Sequence, residues 1–156
     1  MRWMKHGGSR AGSGRASSMI WDWKKRCVNI CATTQYRMES QPICRWDAPT
    51  TARLPGMVET VLYRIIQEAM TNTAKHSGAR HVSVVLDHGA SMVDAVVEDD
   101  GCGFQIQKEQ LDGSAGLGIQ GMYERAKLLG GRVDIETSLG RGAAVYVHLP
   151  LKEASQ

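Results

Sequence analysis

Between Pro55 and Leu149 the spacing of apolar residues switches from a helical to a strand period twice in the same order, which limits the folds open to the chain. Val58, Val61, Leu62, Ile65, Ile66, Ala69 and Met70 recur at helical intervals, so one apolar stripe runs along one side of a helix. Pro55 suits the first turn of that helix, and Gly78 follows its last. Residues 81–87 and 92–98 are short, valine-rich runs separated by Gly89 and Ala90, the pattern of two strands joined by a turn. Asp100, Gly101 and Gly103 break the second run, and residues 104–115 are polar and aperiodic, as a loop would be. Helical spacing returns over residues 118–129 through Ile119, Met122, Ala126 and Leu129, and stops at Gly130 and Gly131. Two more strands follow, at 132–137 and 143–149, around a turn at 139–142. Strands that arrive in pairs around tight turns pair antiparallel, whereas βαβ units would alternate strand and helix. The expected class is therefore α+β, a two-layer α/β sandwich whose mixed, mostly antiparallel sheet carries its helices on one face.

The rest of the chain is of a different character. Residues 1–50 hold nine Lys and Arg against three Asp and Glu, while the remainder holds ten against thirteen. The basic excess sits in the leading segment and the body is mildly acidic, so nucleic-acid binding is not the expected task of the body. Residues 1–17, rich in Gly, Ser and Arg, are expected to be a disordered or non-native leader. The stretch 18–53 is less defined, with a helix near 18–27 and a first strand near 33–39 as its candidate elements. The domain proper is placed at 54–151, with 152–156 as a tail. No apolar run approaches the roughly 20 residues of a membrane span. Met1 to Arg15 contains basic residues without the apolar region of a secretion signal. A cytoplasmic chain with free thiols is expected. Cys27, Cys31 and Cys44 match no common zinc spacing, so no structural metal is expected there.

Three segments carry residue types suited to chemistry. On the long helix, Glu68, Asn72, Lys75 and His76 fall along one side, away from the apolar stripe. Such a row is either a solvated face or a carboxylate, an amide oxygen and cations arranged to hold Mg2+ and phosphate oxygens. Asp99-Asp100-Gly101-Cys102-Gly103-Phe104 follows an apolar strand directly. It is either a plain turn or a place where the backbone approaches a ligand and a carboxylate accepts from an amine. Gly116-Leu117-Gly118-Ile119-Gln120-Gly121 opens a helix, and exposed N–H groups at a helix start suit phosphate. Glu136 stands at the right distance for a dinucleotide-binding unit, but no strand precedes Gly116 as that unit requires. The chain lacks a Gly-Lys-Ser/Thr sequence, which excludes a P-loop. A fourth segment, Gly140-Arg141-Gly142, reads by itself as a hairpin turn.

In this order the four segments resemble the GHKL ATPase superfamily, which includes gyrase, MutL and histidine kinases. Residues 67–79 look like its N box, in the version carried by sensor kinases of the nitrate-sensor and degradation-sensor group. Residues 99–104 look like the G1 box, 116–126 like the G2 box of the same group, and 140–149 like the final box and strand. Any one match is weak; four in order over about 54–151 are specific. The resemblance implies a Bergerat-type ATP-binding fold that donates phosphate from Mg-ATP to a histidine on a separate dimerisation domain. By the same resemblance Asn72 would ligand Mg2+, with Glu68 assisting there through water or polarising water. Lys75 and His76 would approach the phosphates, and Asp99 would hold the adenine amine in a pocket shaped by Gly101 and Gly103. Residues 104–115 would be a mobile lid beginning at Phe104, with Gly116 and Gly118 as hinge and phosphate seat. Leu117, Gly121, Met122, Gly142 and Ala143 would complete the nucleotide contacts.

Two departures stand out. Ala143 occupies a position that usually carries a Thr or Ser hydroxyl. His6 is followed by Gly7-Gly8, unlike a phosphoacceptor helix, and His76 and His81 belong to the ATP domain by position. The chain is therefore expected to be a monomer that needs a dimerisation and phosphoacceptor domain as partner, and through it a LuxR-type response regulator. A serine kinase that opposes a sigma factor, a mechanical ATPase and a non-catalytic nucleotide-binding module are the competing readings.

Overall fold

The seven residues of the first apolar stripe are all buried along one helix, α1 (Gly56–Asn72). The computed structural model of the chain describes Asn29 and residues 43–47, 54–105 and 117–151. Pro55 lies one residue before the expected first turn, at the N-cap, where its carbonyl accepts from Glu59 N at 2.9 Å. The missing N–H of proline costs nothing there, because the first N–H groups of a helix have no intrahelical partner. Glu59 adds a negative charge at the positive end of the helix dipole. The last turn differs from the sequence expectation of a plain α-helix: Thr73–Ser77 winds as a π-helical turn. Ser77 closes it, donating from Oγ to the Thr73 carbonyl at 2.7 Å and accepting from Ala79 N at 3.0 Å. Gly78 then reverses the chain in the left-handed region, φ 59°, which glycine adopts without a Cβ penalty.

Four of the five strands are those expected, with ends shifted by a residue: β2 (Val82–His88), β3 (Met92–Asp99), β4 (Arg132–Thr137) and β5 (Ala143–Pro150). A second helix, α2 (Leu117–Leu128), precedes β4. Strand β1 (Ile43–Asp47) lies in the stretch that the sequence left undefined, and the candidate elements near 18–27 and 33–39 fall outside the described residues. Trp46, which belongs to none of the periodic segments, is part of this strand. The sheet order is β1-β2-β3-β5-β4. All neighbours pair antiparallel except β1, which runs parallel to β2 from Ile43 opposite Ser83 to Asp47 opposite Asp87. The sheet is thus mixed and mostly antiparallel, as expected.

Alternation divides the sheet into two faces. Val82, Val84 and Leu86, then Val93, Ala95 and Val97, then Val145, Val147 and Leu149 are buried and belong to the core that α1 and α2 cover. Leu62, Ile65, Ile66 and Met70 of α1 are fully buried against them, as is Met122 of α2. The two-residue period has one further consequence. The row Val93, Ala95, Val97 ends at Asp99, so the core-facing side of β3 terminates in a carboxylate. Its cross-strand neighbour on β5 is Ala143.

Candidate functional site

Where the sheet runs out beneath the π turn, the core opens into a cavity of about 300 Å3. Its floor is apolar, made by Val97, Ile135 and Val145 of the sheet with Met122 of α2. Its polar wall comes from the helix end and β3: Asn72, Thr73, His76, Ser77 and Asp99. A slot with apolar faces and a few convergent polar groups suits a flat, partly polar small molecule.

Asp99 is the chemical centre of that wall, only 8% exposed. Among the described residues its partners are an amide and a hydroxyl: Gly101 N donates to Oδ1 and Thr73 Oγ1 donates to Oδ2, each at 2.9 Å. Each carboxylate oxygen has a second lone pair, so the group offers acceptors and no donor to whatever enters. The neighbouring Asp100 turns outward and fastens the loop to the start of β2. Its Oδ1 accepts from Arg80 N and His81 N at 2.8 and 2.9 Å, and its Oδ2 lies 2.7 Å from the His81 ring. The His81 backbone N–H, followed by the His81 ring, holds the Asp100 carboxyl at about 2, well below the usual carboxylate range.

The loop after Asp99 is tied down on both sides. Cys102 N donates to the Ser77 carbonyl at 2.7 Å, and Gly140 N donates to the Cys102 carbonyl at 2.7 Å. Thr137 Oγ1 accepts from Phe104 N at 3.0 Å and donates to the Gly142 carbonyl at 3.0 Å. These bonds clasp the loop between the end of α1 and the last hairpin. At Gly142, φ is 78° and a Cβ would run into the backbone carbonyl of Asp99, so the hairpin can press this close to the acid only without a side chain.

The row along the first helix is solvated only at its far end, where Lys75 and His76 are exposed. Glu68 and Asn72 are half-buried in the seam between α1 and α2, and a Cβ on Gly118 would collide with the Glu68 carboxylate. Asn72 lines the cavity from one side and Gly118, in the first turn of α2, from the other. The N–H groups at the start of α2 have no intrahelical acceptors, which gives this edge a partial positive charge. Asn72 and Glu68 supply the hard oxygen atoms that Mg2+ prefers, in a number that leaves room for water and phosphate oxygens. Among the described residues no cluster of three His, Cys, Asp or Glu could hold a metal by protein ligands alone. The donor set thus fits a cation that arrives with its own anionic ligand.

The other sequence candidates distribute as follows. His76, Gly103, Phe104, Met122 and Ala143 line the cavity with Asn72, Asp99 and Gly118. Lys75 is exposed and outside the lining, because the π turn carries it past the row that α-helical spacing predicts. Gly101 packs against Ser77, Gly121 lies beside Arg125, and the Leu117 side chain is 75% exposed. Gly142 is buried behind the wall, and Gly116 with residues 106–115 of the expected lid lies outside the described residues. Sequence reasoning missed Thr73, Ser77 and Thr137. Thr73 had a signal, since it continues the apolar stripe one turn beyond Ala69 and Met70 and therefore brings a hydroxyl to the core side.

This geometry can be set beside known proteins. The family model described as histidine kinase-, DNA gyrase B- and HSP90-like ATPase matches residues 57–153. The chain belongs to that family. It is 38% identical over 99 residues to the signal transduction histidine-protein kinase/phosphatase DegS of Brevibacillus brevis, covering 64% of this chain and 25% of that protein. An uncharacterized sensor-like histidine kinase of Chloroflexus aurantiacus is 36% identical over 105 residues, covering 64% of this chain and 17% of that one. The chain thus spans about a quarter or less of these relatives. Among solved structures, the histidine kinase domain of the Erythrobacter litoralis EL346 blue-light activated histidine kinase superposes with a TM-score of 0.66 at 18% identity. That match covers 87% of this chain and 65% of the other, and it shows a shared fold. No helix among the described residues is long and apolar enough to cross a membrane.

Proposed function

We propose that residues 54–151 are the ATP-binding catalytic domain of a sensor histidine kinase, which positions Mg-ATP for transfer of its γ-phosphoryl group to a histidine of a dimerisation domain. One observation carries this reading: Asn72 of α1, Asp99 at the end of β3 and Gly118 of α2 meet around a single cavity with an apolar floor. The floor of Val97, Ile135, Val145 and Met122 accepts the faces of a purine, and Asp99 accepts a hydrogen bond from its exocyclic amine. The start of α2 receives the phosphates through backbone N–H groups. Asn72, with Glu68 behind it, would hold Mg2+, whose charge would offset that of the transferring group. Phosphoryl transfer depends mainly on such positioning and charge neutralisation, which agrees with a site of backbone amides and few reactive side chains. His76 at the cavity edge and Lys75 farther out add positive or donor groups on the phosphate side. The partner is a dimerisation and phosphoacceptor domain, and beyond it a LuxR-type response regulator, with the whole reaction in the cytoplasm.

Calorimetric titration with Mg-ATP tests the proposal. Wild type binds; Asn72→Asp and Asp99→Asn each weaken binding by an order of magnitude or more. Added to a dimerisation domain of the same group, the protein transfers label from ATP in an acid-labile, base-stable bond. Binding that is absent, or indifferent to both substitutions, ends the proposal.

A further inference from the structure

Two residues face the Asp99 carboxylate from different elements, and they differ in one atom type. Ala143 stands directly opposite Asp99 in the strand register, on the same face, and brings only a methyl group to the cavity. Thr73 reaches Asp99 from the π turn, 6% exposed, and its Oγ1 donates to Oδ2 at 2.9 Å. It also lines the cavity, so it stands beside any molecule bound to Asp99. With Gly101 N on Oδ1, the hydroxyl is the second of two donors that fix the carboxylate plane. Without it one oxygen is left unpaired, and a buried carboxyl in that condition turns toward any available donor, a water molecule included. We propose that Thr73 is the positioning residue for base selectivity: it holds Asp99 so that its free lone pairs accept from a 6-amino purine and repel a 6-oxo purine. The inference rests on the nucleotide-binding reading above and concerns the same cavity.

The chemistry is one of sign. A 6-amino group brings a donor to the carboxylate, which is a charge-assisted bond. A 6-oxo group brings an acceptor, and two acceptors facing each other in a buried site repel. The discrimination is as sharp as the carboxylate is fixed, because a rotated Asp99 could share a water with either base.

The experiment measures the Kd of the whole chain for Mg-ATP and for Mg-GTP, in wild type, Thr73→Ser and Thr73→Val, with circular dichroism as the check on folding. The serine variant keeps the hydroxyl and stays within about twofold of wild type for both nucleotides. The valine variant keeps the volume, loses about tenfold for ATP and little for GTP, and so narrows the ATP-to-GTP ratio. Should the valine chain not fold, Thr73→Ala serves as the second deletion. A hydroxyl-free variant that folds and keeps the wild-type ratio overturns the inference, as does a serine variant that loses the ratio with it. Wild type that binds neither nucleotide refutes the proposed function instead, so the two failures are distinct.

Discussion

Asp99→Asn is the sharpest test of how the cavity reads a base, because the substitution changes one atom and the structure dictates where that atom goes. The carboxylate accepts from Gly101 N on Oδ1 and from Thr73 Oγ1 on Oδ2. A backbone N–H can only donate, so the amide oxygen of asparagine must take the Oδ1 position and its NH2 the Oδ2 position. Thr73 adapts by rotating its hydroxyl to accept, at a cost to folding of about 1 kcal/mol or less. An incoming amine loses at either position: at Oδ2 it meets a donor where it needs an acceptor, and at Oδ1 it finds a neutral amide oxygen in place of a charged one. Losing a hydrogen bond to a charged group is worth about 1.5–3 kcal/mol, or roughly ten- to 150-fold in Kd. Calorimetric titration with Mg-ATP, together with a thermal melt, separates the two effects. Binding within twofold of wild type at an unchanged melting temperature would refute the reasoning, since it would mean that Asp99 does not face the amine.

Other perturbations reach different parts of the same framework. Ile65, fully buried in α1 beneath the sheet, should cost about 2–5 kcal/mol as Ile65→Ala, read from urea unfolding monitored by circular dichroism. Gly142→Ala forces a Cβ into the Asp99 carbonyl at a φ of 78°, and should cost more than the roughly 1 kcal/mol of the left-handed backbone alone. Gly118→Ala meets a movable group instead, the Glu68 carboxylate, so the melting temperature should change little while Mg2+-dependent ATP affinity falls. Asp100 titrates at about 2 in the folded chain against an ordinary 3.8. Its anion therefore stabilises the fold above the ordinary value, and that contribution is lost as pH falls through the interval between the two. Asp100→Asn should flatten the fall of thermal stability over that interval, and an unchanged acid limb would contradict the role of the His81 clasp.

The parts of the fold legible in the sequence are those set by local period. The stripe from Val58 to Met70 and the alternation from Val145 to Leu149 name the buried faces because each element buries one side against a single partner layer. Strand β1 escaped for the opposite reason. Ile43–Asp47 is flanked by Pro42 and Pro49 but is short, is not valine-rich and owes its extended form to parallel pairing with β2, a long-range contact absent from local spacing. The shift of Pro55 from first turn to N-cap is of another kind, because both positions lack a required N–H donor and the residue type alone cannot choose between them.

The site divides along the same line, and the π turn shows why. Regular helical spacing sends Glu68, Asn72 and Lys75 along one row, and the first two do occupy the seam beside α2. Past Asn72 the winding changes, so Lys75 leaves the row while Thr73 and Ser77 stay on the cavity side. A π turn has no reliable residue signature, since it arises where tertiary contacts reward an extra residue per turn over a regular one. Here the rewards are visible: the Thr73 hydroxyl meets the acid that ends β3, and the Ser77 carbonyl receives Cys102 N. Both contacts join segments more than twenty residues apart, and both depend on the loop after Asp99 being held by Thr137 and Gly142 from the last hairpin. The residue types that bear charge could be read one segment at a time. The neutral hydroxyls that aim them belong to the packing of three segments at once, which is why Asp99 stands out in the sequence and Thr73 does not.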